Sequence, residues 1–129
     1  MAVNSDLLQW WAARGFARLY VVADISNPTA NPVVMFNQTV QLDTFVHRVT
    51  IGNGASVPMT YVLETRVAGG GAQDWQEYGR VTIEPGLTWH DDYSVDLAVG
   101  ESIRLAILPD EDADGNSVAL FEYVQPEVR

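Results

Sequence analysis

Alternating aspartates in the stretch "ILPDEDADGNSVALFEYV" have the residue type and the spacing to bind a cation. They match the first half of a calcium loop, D-x-D-x-D-G, and calcium takes about six to eight oxygen ligands. The residues that could supply oxygens, the last through its carbonyl, are Asp110, Asp112, Asp114 and Asn116. The twelfth position, where an EF-hand has a bidentate glutamate, is Phe121, and strand-like runs flank the stretch. The spacing therefore excludes an EF-hand but leaves an irregular calcium site open.

A solvated hairpin loop is the other interpretation of the same residues. Asp and Gly are turn-forming residues, and the stretch joins two strand-like runs. Because D-x-D-x-D-G is only part of a motif, the sequence favours the hairpin loop. We therefore expect no cofactor, with calcium at residues 110–116 as the alternative.

Residues that could carry catalysis are scarce. His90 and Asp92 in "TWHDDYSVD" would share one face of a strand and could bind a metal or relay protons. A single imidazole with no second histidine nearby is a poor transition-metal site, so a solvated strand face is favoured. The chain has no cysteine and no lysine, and no serine lies in a G-x-S-x-G motif. We expect that the protein is not an enzyme.

Two aromatic residues beside the glycine-rich stretch "AGGGAQD" could bind a sugar. Trp75 and Tyr78 could form a flat platform on which a sugar ring packs. The ordinary interpretation is that these rings cover the core and a loop, because large aromatic side chains are buried more often than not. Sugar binding at Trp75 and Tyr78 is therefore kept as the alternative function.

Apolar residues alternate with polar ones through most of the chain after Gly15, which predicts short β-strands. The predicted strands cover residues 16–26, 33–38, 39–51, 57–67, 75–83, 87–98, 102–108 and 117–125. A slip of phase near Thr44 predicts a β-bulge, and the alternation of the sixth segment places Leu87 and Trp89 inward. Turn signals about every ten residues are typical of an all-β sandwich or jelly roll. We predict about seven or eight antiparallel strands.

Residues 1–15 predict a short N-terminal helical arm. Asn4 or Ser5 can cap a helix over residues 6–14. The large apolar residues of this helix are Leu7, Leu8, Trp10 and Trp11. Two adjacent indoles point about 100° apart on a helix, so one face cannot easily hide both. We predict that these four residues form an interface with another chain, and that residues 16–129 form a single β-sandwich domain.

The charge is concentrated in the second half of the chain. Residues 1–73 carry four acidic residues and four arginines, whereas residues 74–129 carry thirteen acidic residues and three arginines. The net charge of −10 therefore lies in the second half. An acidic surface repels phosphate, which argues against nucleic acids and anionic membranes as partners. The first residues lack the basic start and apolar run of a signal peptide, so we expect no secretion signal.

Three features together resemble the decoration (cement) proteins of tailed-phage capsids. They are the arm "NSDLLQWWAARGF", the run "VTIEPGLTWHDDYSVDLAVGESIRLAIL", and the acidic composition without Cys or Lys. The resemblance implies a homo-oligomer, such as a trimer, that binds a protein lattice such as a capsid protein with its acidic face outward. It also implies expression in the host cytoplasm and a place on the virion surface. The alternative is a carbohydrate-binding module of the calcium-stabilised β-sandwich type.

Overall fold

A computed structural model describes residues 17–24, 33–92, 94–108 and 114–125. Within these ranges the chain is all β and forms nine strands. They are β1 Ala17–Asp24, β2 Val33–Thr39, β3 Thr44–Ala55, β4 Met59–Arg66, β5 Gln76–Ile83, β6 Thr88–Asp91, β7 Val95–Leu97, β8 Ser102–Ile107 and β9 Gly115–Val124. The predicted helix over residues 6–14 lies outside the described residues. No helix in the described ranges is long and apolar enough to span a membrane.

The strands form two antiparallel sheets. The five-stranded sheet has the order β1-β9-β3-β6, and β7 also pairs with β3. The four-stranded sheet has the order β2-β8-β4-β5. Every strand pair in both sheets is antiparallel. The predicted all-β sandwich is thus confirmed, with nine strands in the described part.

The core lies between the two sheets, because alternate residues of each strand point inward. The four-stranded sheet contributes Met59, Tyr61 and Leu63 from β4, all of them buried. The five-stranded sheet faces them with Ile51 and Phe121, among others. Burying one large apolar side chain contributes roughly 1.5–3 kcal/mol. Burial of alternate residues is therefore what selects the register of each strand.

The predicted strand over residues 87–98 is interrupted, and the inward placement of Leu87 was wrong. Leu87 is 58% exposed, and its N–H donates to the carbonyl of Glu84 in a turn. Alternation therefore begins only at Thr88, after the turn, and the segment divides into β6 and β7. This division accounts for the ninth strand.

The predicted bulge exists but lies a few residues further along. The register between β3 and β9 shifts between Val46 and Arg48, so His47 is the extra residue. Both Val46 and Val49 are buried, which strict alternation would forbid. The bulge brings them to the same face of the sheet.

Asn53 is a buried polar residue that ties β3 to two neighbouring segments. Its Nδ2 donates to the carbonyl of Val57 at 3.0 Å and to that of Ile83 at 2.8 Å. Its Oδ1 accepts from the N–H of Ala55 at 2.8 Å. Since a buried polar group is costly unless it is hydrogen-bonded, these three bonds allow Asn53 to sit inside the sandwich.

Candidate functional site

The acidic loop joins β8 to β9, as the sequence predicted for the stretch between two strands. Asp114 and Asn116 are exposed, and the Asp114 carbonyl accepts from the N–H of Ser56. Asp110 and Asp112 lie outside the described residues. Among the residues that the structure does describe, no three His, Asp or Glu side chains are grouped to hold a metal ion. Calcium binding therefore stays the untested alternative to the predicted hairpin loop.

Trp75 and Tyr78 make contacts in different directions. The guanidinium carbon of Arg66 lies 4.5 Å from the centre of the Trp75 ring, and that of Arg104 lies 4.2 Å from it. The hydroxyl group of Tyr78 donates to the carbonyl of Ser94, 3.1 Å away, which precedes β7 of the other sheet. Two guanidinium groups therefore lie over the Trp75 ring and compete with a sugar ring for stacking on it.

The outer face of the four-stranded sheet, here called the arginine face, carries three of the four arginine side chains that the structure describes. Arg104 Nε donates to Glu64 Oε1 at 2.9 Å, and these side chains are 25% and 18% exposed. Arg80 donates to Glu77 Oε1 through Nε and Nη2, at 3.1 and 2.6 Å. The hydrogen bond that Arg80 donates to Glu77, followed by the negative charge of Glu77, raises the pKa of Arg80. Two ion pairs are thus held side by side.

Strand register brings these charged residues together. Glu64 of β4 is paired with Arg104 of β8 on one side and with Glu77 of β5 on the other. Between the ion pairs lies a concavity of about 390 Å³, whose lining includes Val62 and Ala106. Both apolar residues are 5% exposed. The arginine face therefore combines a small apolar surface, formed by Val62 and Ala106, with hydrogen-bond donors from arginine and acceptors from glutamate.

The sequence pattern did not predict which side chains lie together on the arginine face. Arg66 and Trp75 lie on either side of the loop between β4 and β5, whereas Arg104 is far from both in sequence and meets them only because β4 also pairs with β8. Alternation indicated that Glu64 and Arg66 share one side of their strand. It could not indicate which residues of other strands would lie beside them.

The outer face of the five-stranded sheet carries an apolar stripe, here called the valine stripe. It consists of Val22, Val118 and Leu120, which lie on the neighbouring strands β1 and β9. Val22 and Val118 are register partners and are 65% and 44% exposed. Gly52 continues the row on β3, where an added Cβ would lie only 3.0 Å from Val118 Cγ2. The absence of a side chain at Gly52 leaves room for the Val118 side chain.

Charged residues lie beside one end of the valine stripe. Arg48 Nε donates to Asp92 Oδ1 at 2.8 Å, and both side chains are exposed. The hydrogen bond from Arg48, followed by its positive charge, lowers the pKa of Asp92. His90 is exposed on β6, which agrees with the predicted solvated strand face. The row that contains Val22, Val118 and Gly52 carries no charged residue.

A third feature, here called the end cleft, opens between the two sheets where β1 begins and β9 ends. Its volume is about 260 Å³. Its apolar lining includes Leu19, Phe36, Val46, Leu97, Ile103 and Tyr123, and the exposed Gln38, Gln41 and Gln125 also line it. The Phe36 and Phe121 rings connect the two sheets here, with centroids 4.7 Å apart. The cleft is an apolar recess with amide groups at its margin.

The predicted interface residues Leu7, Leu8, Trp10 and Trp11 lie outside the described residues. The chain leads from them directly into β1, which forms one edge of the five-stranded sheet.

Comparisons with known proteins find similarity only in structure. The sequence matches no protein-family model and no curated protein. The structure of PirA shares 13% identity and a TM-score of 0.56, covering 82% of this chain and 92% of that chain. The Bacillus endospore appendages, a family of disulfide-linked pili, share 12% identity and a TM-score of 0.51, covering 87% and 89%. A chain in the structure of infectious bursal disease virus, Gx strain, shares 8% identity and a TM-score of 0.41, and the match covers 88% of this chain and 34% of that chain.

These likenesses concern the fold alone. In fold, and without a family motif, the chain resembles PirA and the pili of the Bacillus endospore appendages. The disulfide linkage of the spore appendages has no counterpart here, because this chain has no cysteine.

Proposed function

We propose that this protein is a non-catalytic assembly protein that decorates a virus particle. It associates with copies of itself and binds a protein lattice such as a phage capsid protein. Expression in the host cytoplasm and a place on the virion surface belong to the same proposal. The proposal also includes that the protein is not an enzyme.

The observation that carries the proposal is the valine stripe. Val22 and Val118 are register partners on the outer face of the five-stranded sheet, and both are exposed. Singly exposed apolar residues are ordinary, but apolar residues that adjoin on one face indicate a surface for protein contact. Among the described strands only β9 pairs with β1, so the stripe also lies beside a sheet edge with unpaired backbone groups.

Charge supports the use of this face in self-association. A chain with a net charge of −10 repels its own copies unless the contact surface is free of excess acid. The Val22–Val118–Gly52 row is uncharged, and the acids Asp92 and Glu122 beyond its end both lie near Arg48, which forms an ion pair with Asp92. Two copies can therefore approach through the valine stripe with less repulsion than through the acidic loop.

Light scattering on purified protein tests the self-association. We expect the unsubstituted chain to be oligomeric at about physiological salt, and Val22→Asp and Val118→Asp to be monomeric. The matched control is Val67→Asp, since Val67 is 59% exposed but lies after β4 in the other sheet. A monomeric unsubstituted chain, or oligomeric stripe variants that keep their fold, would overturn the proposal.

Co-sedimentation with empty capsids of the parent particle tests the lattice role. The unsubstituted chain and Val67→Asp should pellet with the capsids, and Val22→Asp should remain in the supernatant. Equal pelleting of all three would show that another surface binds the lattice.

A carbohydrate-binding module remains the second candidate, and one observation favours it. The concavity of the arginine face has an apolar floor and paired donors and acceptors, which suit the carbon face and the hydroxyl groups of a sugar. The predicted sugar platform of Trp75 and Tyr78 is less favoured, because two guanidinium groups already lie over the Trp75 ring. A sugar would therefore be held by Glu64 and Glu77 rather than by stacking on Trp75.

A panel of neutral and anionic oligosaccharides separates the two candidates. A sugar-binding module should bind at least one of them, and Glu77→Gln should weaken that binding while the exposed Glu84→Gln leaves it unchanged. Absence of binding to every sugar on the panel would eliminate this candidate.

A further inference from the structure

The two sheets have four edges within the described residues, and three of these edges are irregular. At one edge of the four-stranded sheet the register of β2 with β8 shifts at Met35, and at the other edge the register of β5 with β4 shifts at Tyr78. Beyond β3, the edge of the five-stranded sheet is divided between β6 and β7, which are four and three residues long. Bulges and short edge strands hinder the addition of another strand.

β1 is the one regular edge among the described strands. Its eight residues, Ala17–Asp24, pair with β9 from Tyr123 to Asn116 without a shift of register. Between Arg18 and Asp24 the sequence LYVVA contains no proline, no glycine and no charged residue. β1 therefore lacks the features with which proteins usually prevent strand addition, and its N–H and C=O groups directed away from β9 can pair with another strand.

We infer that β1 pairs with the β1 strand of a second copy in antiparallel orientation, so that two five-stranded sheets form one continuous sheet. A second copy fits this edge because β1 contains one arginine and one aspartate and therefore has no net charge, within a chain of net charge −10. Two copies thus meet here without the repulsion that their acidic residues impose elsewhere. The antiparallel orientation agrees with the pairing of β1 with β9 and of β9 with β3.

This pairing joins the valine stripes of the two copies. Two identical edges that pair in antiparallel orientation are related by a two-fold axis perpendicular to the sheet, so both outer faces lie on the same side. The strands β9 and β1 of one copy then continue into β1 and β9 of the other. The exposed Val22 and Val118 of both copies therefore form one apolar surface across these four strands.

The inference rests on the proposed function, because edge pairing alone is weak. Each backbone hydrogen bond between copies replaces bonds to water, so its net contribution is small, and association has its own entropic cost. Contact between valine stripes has to hold the copies together while the β1 strands pair. Since stripe contact and edge pairing use different surfaces of one copy, the smallest closed assembly that uses both has four chains.

Hydrogen exchange of the backbone amides tests the pairing residue by residue. In an antiparallel ladder alternate residues of β1 direct their N–H groups to β9, and the residues between them direct theirs to the open edge. In the monomeric Val118→Asp variant, which leaves β1 unchanged, every second amide of Ala17–Asp24 should therefore exchange fast. In the oligomer of the unsubstituted chain we expect the same amides to exchange more slowly by about tenfold or more. The matched control is the edge of β5, whose outward amides should exchange fast in both states because its bulge hinders pairing.

Three outcomes of this experiment overturn the inference. Fast exchange of alternate β1 amides in an oligomer would leave the valine stripe as the contact and remove edge pairing. Protection of all β1 amides already in the monomer would mean that the chain itself covers this edge. A monomeric unsubstituted chain, measured by light scattering, would overturn the proposed function as well, so the two failures are distinguishable. If Val118→Asp does not fold, the unsubstituted chain, diluted until scattering shows monomers, supplies the same reference.

Discussion

The hydroxyl groups of Tyr61 and Ser117 lie 2.5 Å apart inside the core and join the two sheets. Tyr61 is on β4 of the four-stranded sheet, Ser117 is on β9 of the five-stranded sheet, and they are 1% and 0% exposed. Apolar contacts tolerate small shifts of one sheet over the other, but a hydrogen bond requires one geometry. This pair therefore helps to fix how the two sheets lie against each other.

Removing either hydroxyl group should destabilise the protein by leaving the other without its partner. We expect Tyr61→Phe and Ser117→Ala each to lower the free energy of unfolding by about 1–3 kcal/mol. The double variant should lose less than the sum, because neither unpaired hydroxyl group remains. Urea unfolding of the four proteins measures this, and strictly additive losses would show that the bond contributes nothing.

Alkaline pH should weaken the fold through the same tyrosine. Burial raises the pKa of Tyr61 above its ordinary value of 10.0, and the hydrogen bond with Ser117 opposes this only in part. The folded state therefore favours the neutral phenol. Its contribution is fully present below about pH 10 and is lost as the pH rises through the raised pKa. Melting temperatures measured from pH 8 to 11 should fall less steeply for Tyr61→Phe, and parallel curves would contradict this.

Asn53→Ala should be among the more damaging single substitutions. It removes three hydrogen bonds and leaves the carbonyls of Val57 and Ile83 without that donor. We expect the free energy of unfolding to fall by about 3 kcal/mol. The control is Asn37→Ala, since Asn37 is exposed on β2 and should change stability by less than about 0.5 kcal/mol. Similar losses for both variants would mean that the buried amide is not the cause.

The two ion pairs of the arginine face should differ in their contribution to stability. Glu64 is 18% exposed and Glu77 is 46% exposed, so water and salt screen the second pair more strongly. Glu64→Gln should therefore lower the unfolding temperature more than Glu77→Gln does. Repeating both measurements in about 1 M salt should reduce the already small effect of Glu77→Gln most. A larger effect at Glu77 would contradict the order given by burial.

Calcium removal tests the acidic loop. If Asp110, Asp112, Asp114 and Asn116 form only a hairpin loop, a chelator should leave the melting temperature unchanged. A real site stabilises by mass action, about 2.7 kcal/mol at a hundredfold excess of calcium over its dissociation constant. A shift of several degrees that the double substitution Asp112→Asn and Asp114→Asn abolishes would establish calcium binding.

Alternation predicted the strands well where one side of a strand is buried and the other exposed. The predicted strand 57–67 corresponds to β4, Met59–Arg66, and Met59, Tyr61 and Leu63, which the alternation placed inward, are buried. Val62 is buried as well although it lies on the outer face, and Val67, placed inward, is exposed. Alternation also failed at Leu87, because the turn that begins at Glu84 continues through this residue. The alternation of apolar and polar residues does not indicate at which residue a turn ends and the next strand begins.

The candidate surfaces were harder to predict than the strands. The valine stripe and the arginine face both depend on which strands are neighbours, and β1 pairs with β9 from the far end of the chain. Val22 alone is an ordinary exposed valine, and only its register partner Val118 makes it part of a surface. A single sequence carries no direct signal for such distant pairings.

The position of β9 between β1 and β3 has a consequence for biosynthesis. β1 ends at Asp24, but the strand that must pair with it begins at Gly115, about ninety residues later. A ribosome that adds about 5–20 residues per second needs on the order of 5–20 s for that stretch. During this time β1 has no sheet to join, and β3 lacks its longest partner. The five-stranded sheet must therefore be completed late, and a chain cut short before β9 would leave β1 without its strand partner and one edge of β3 open to its neighbours.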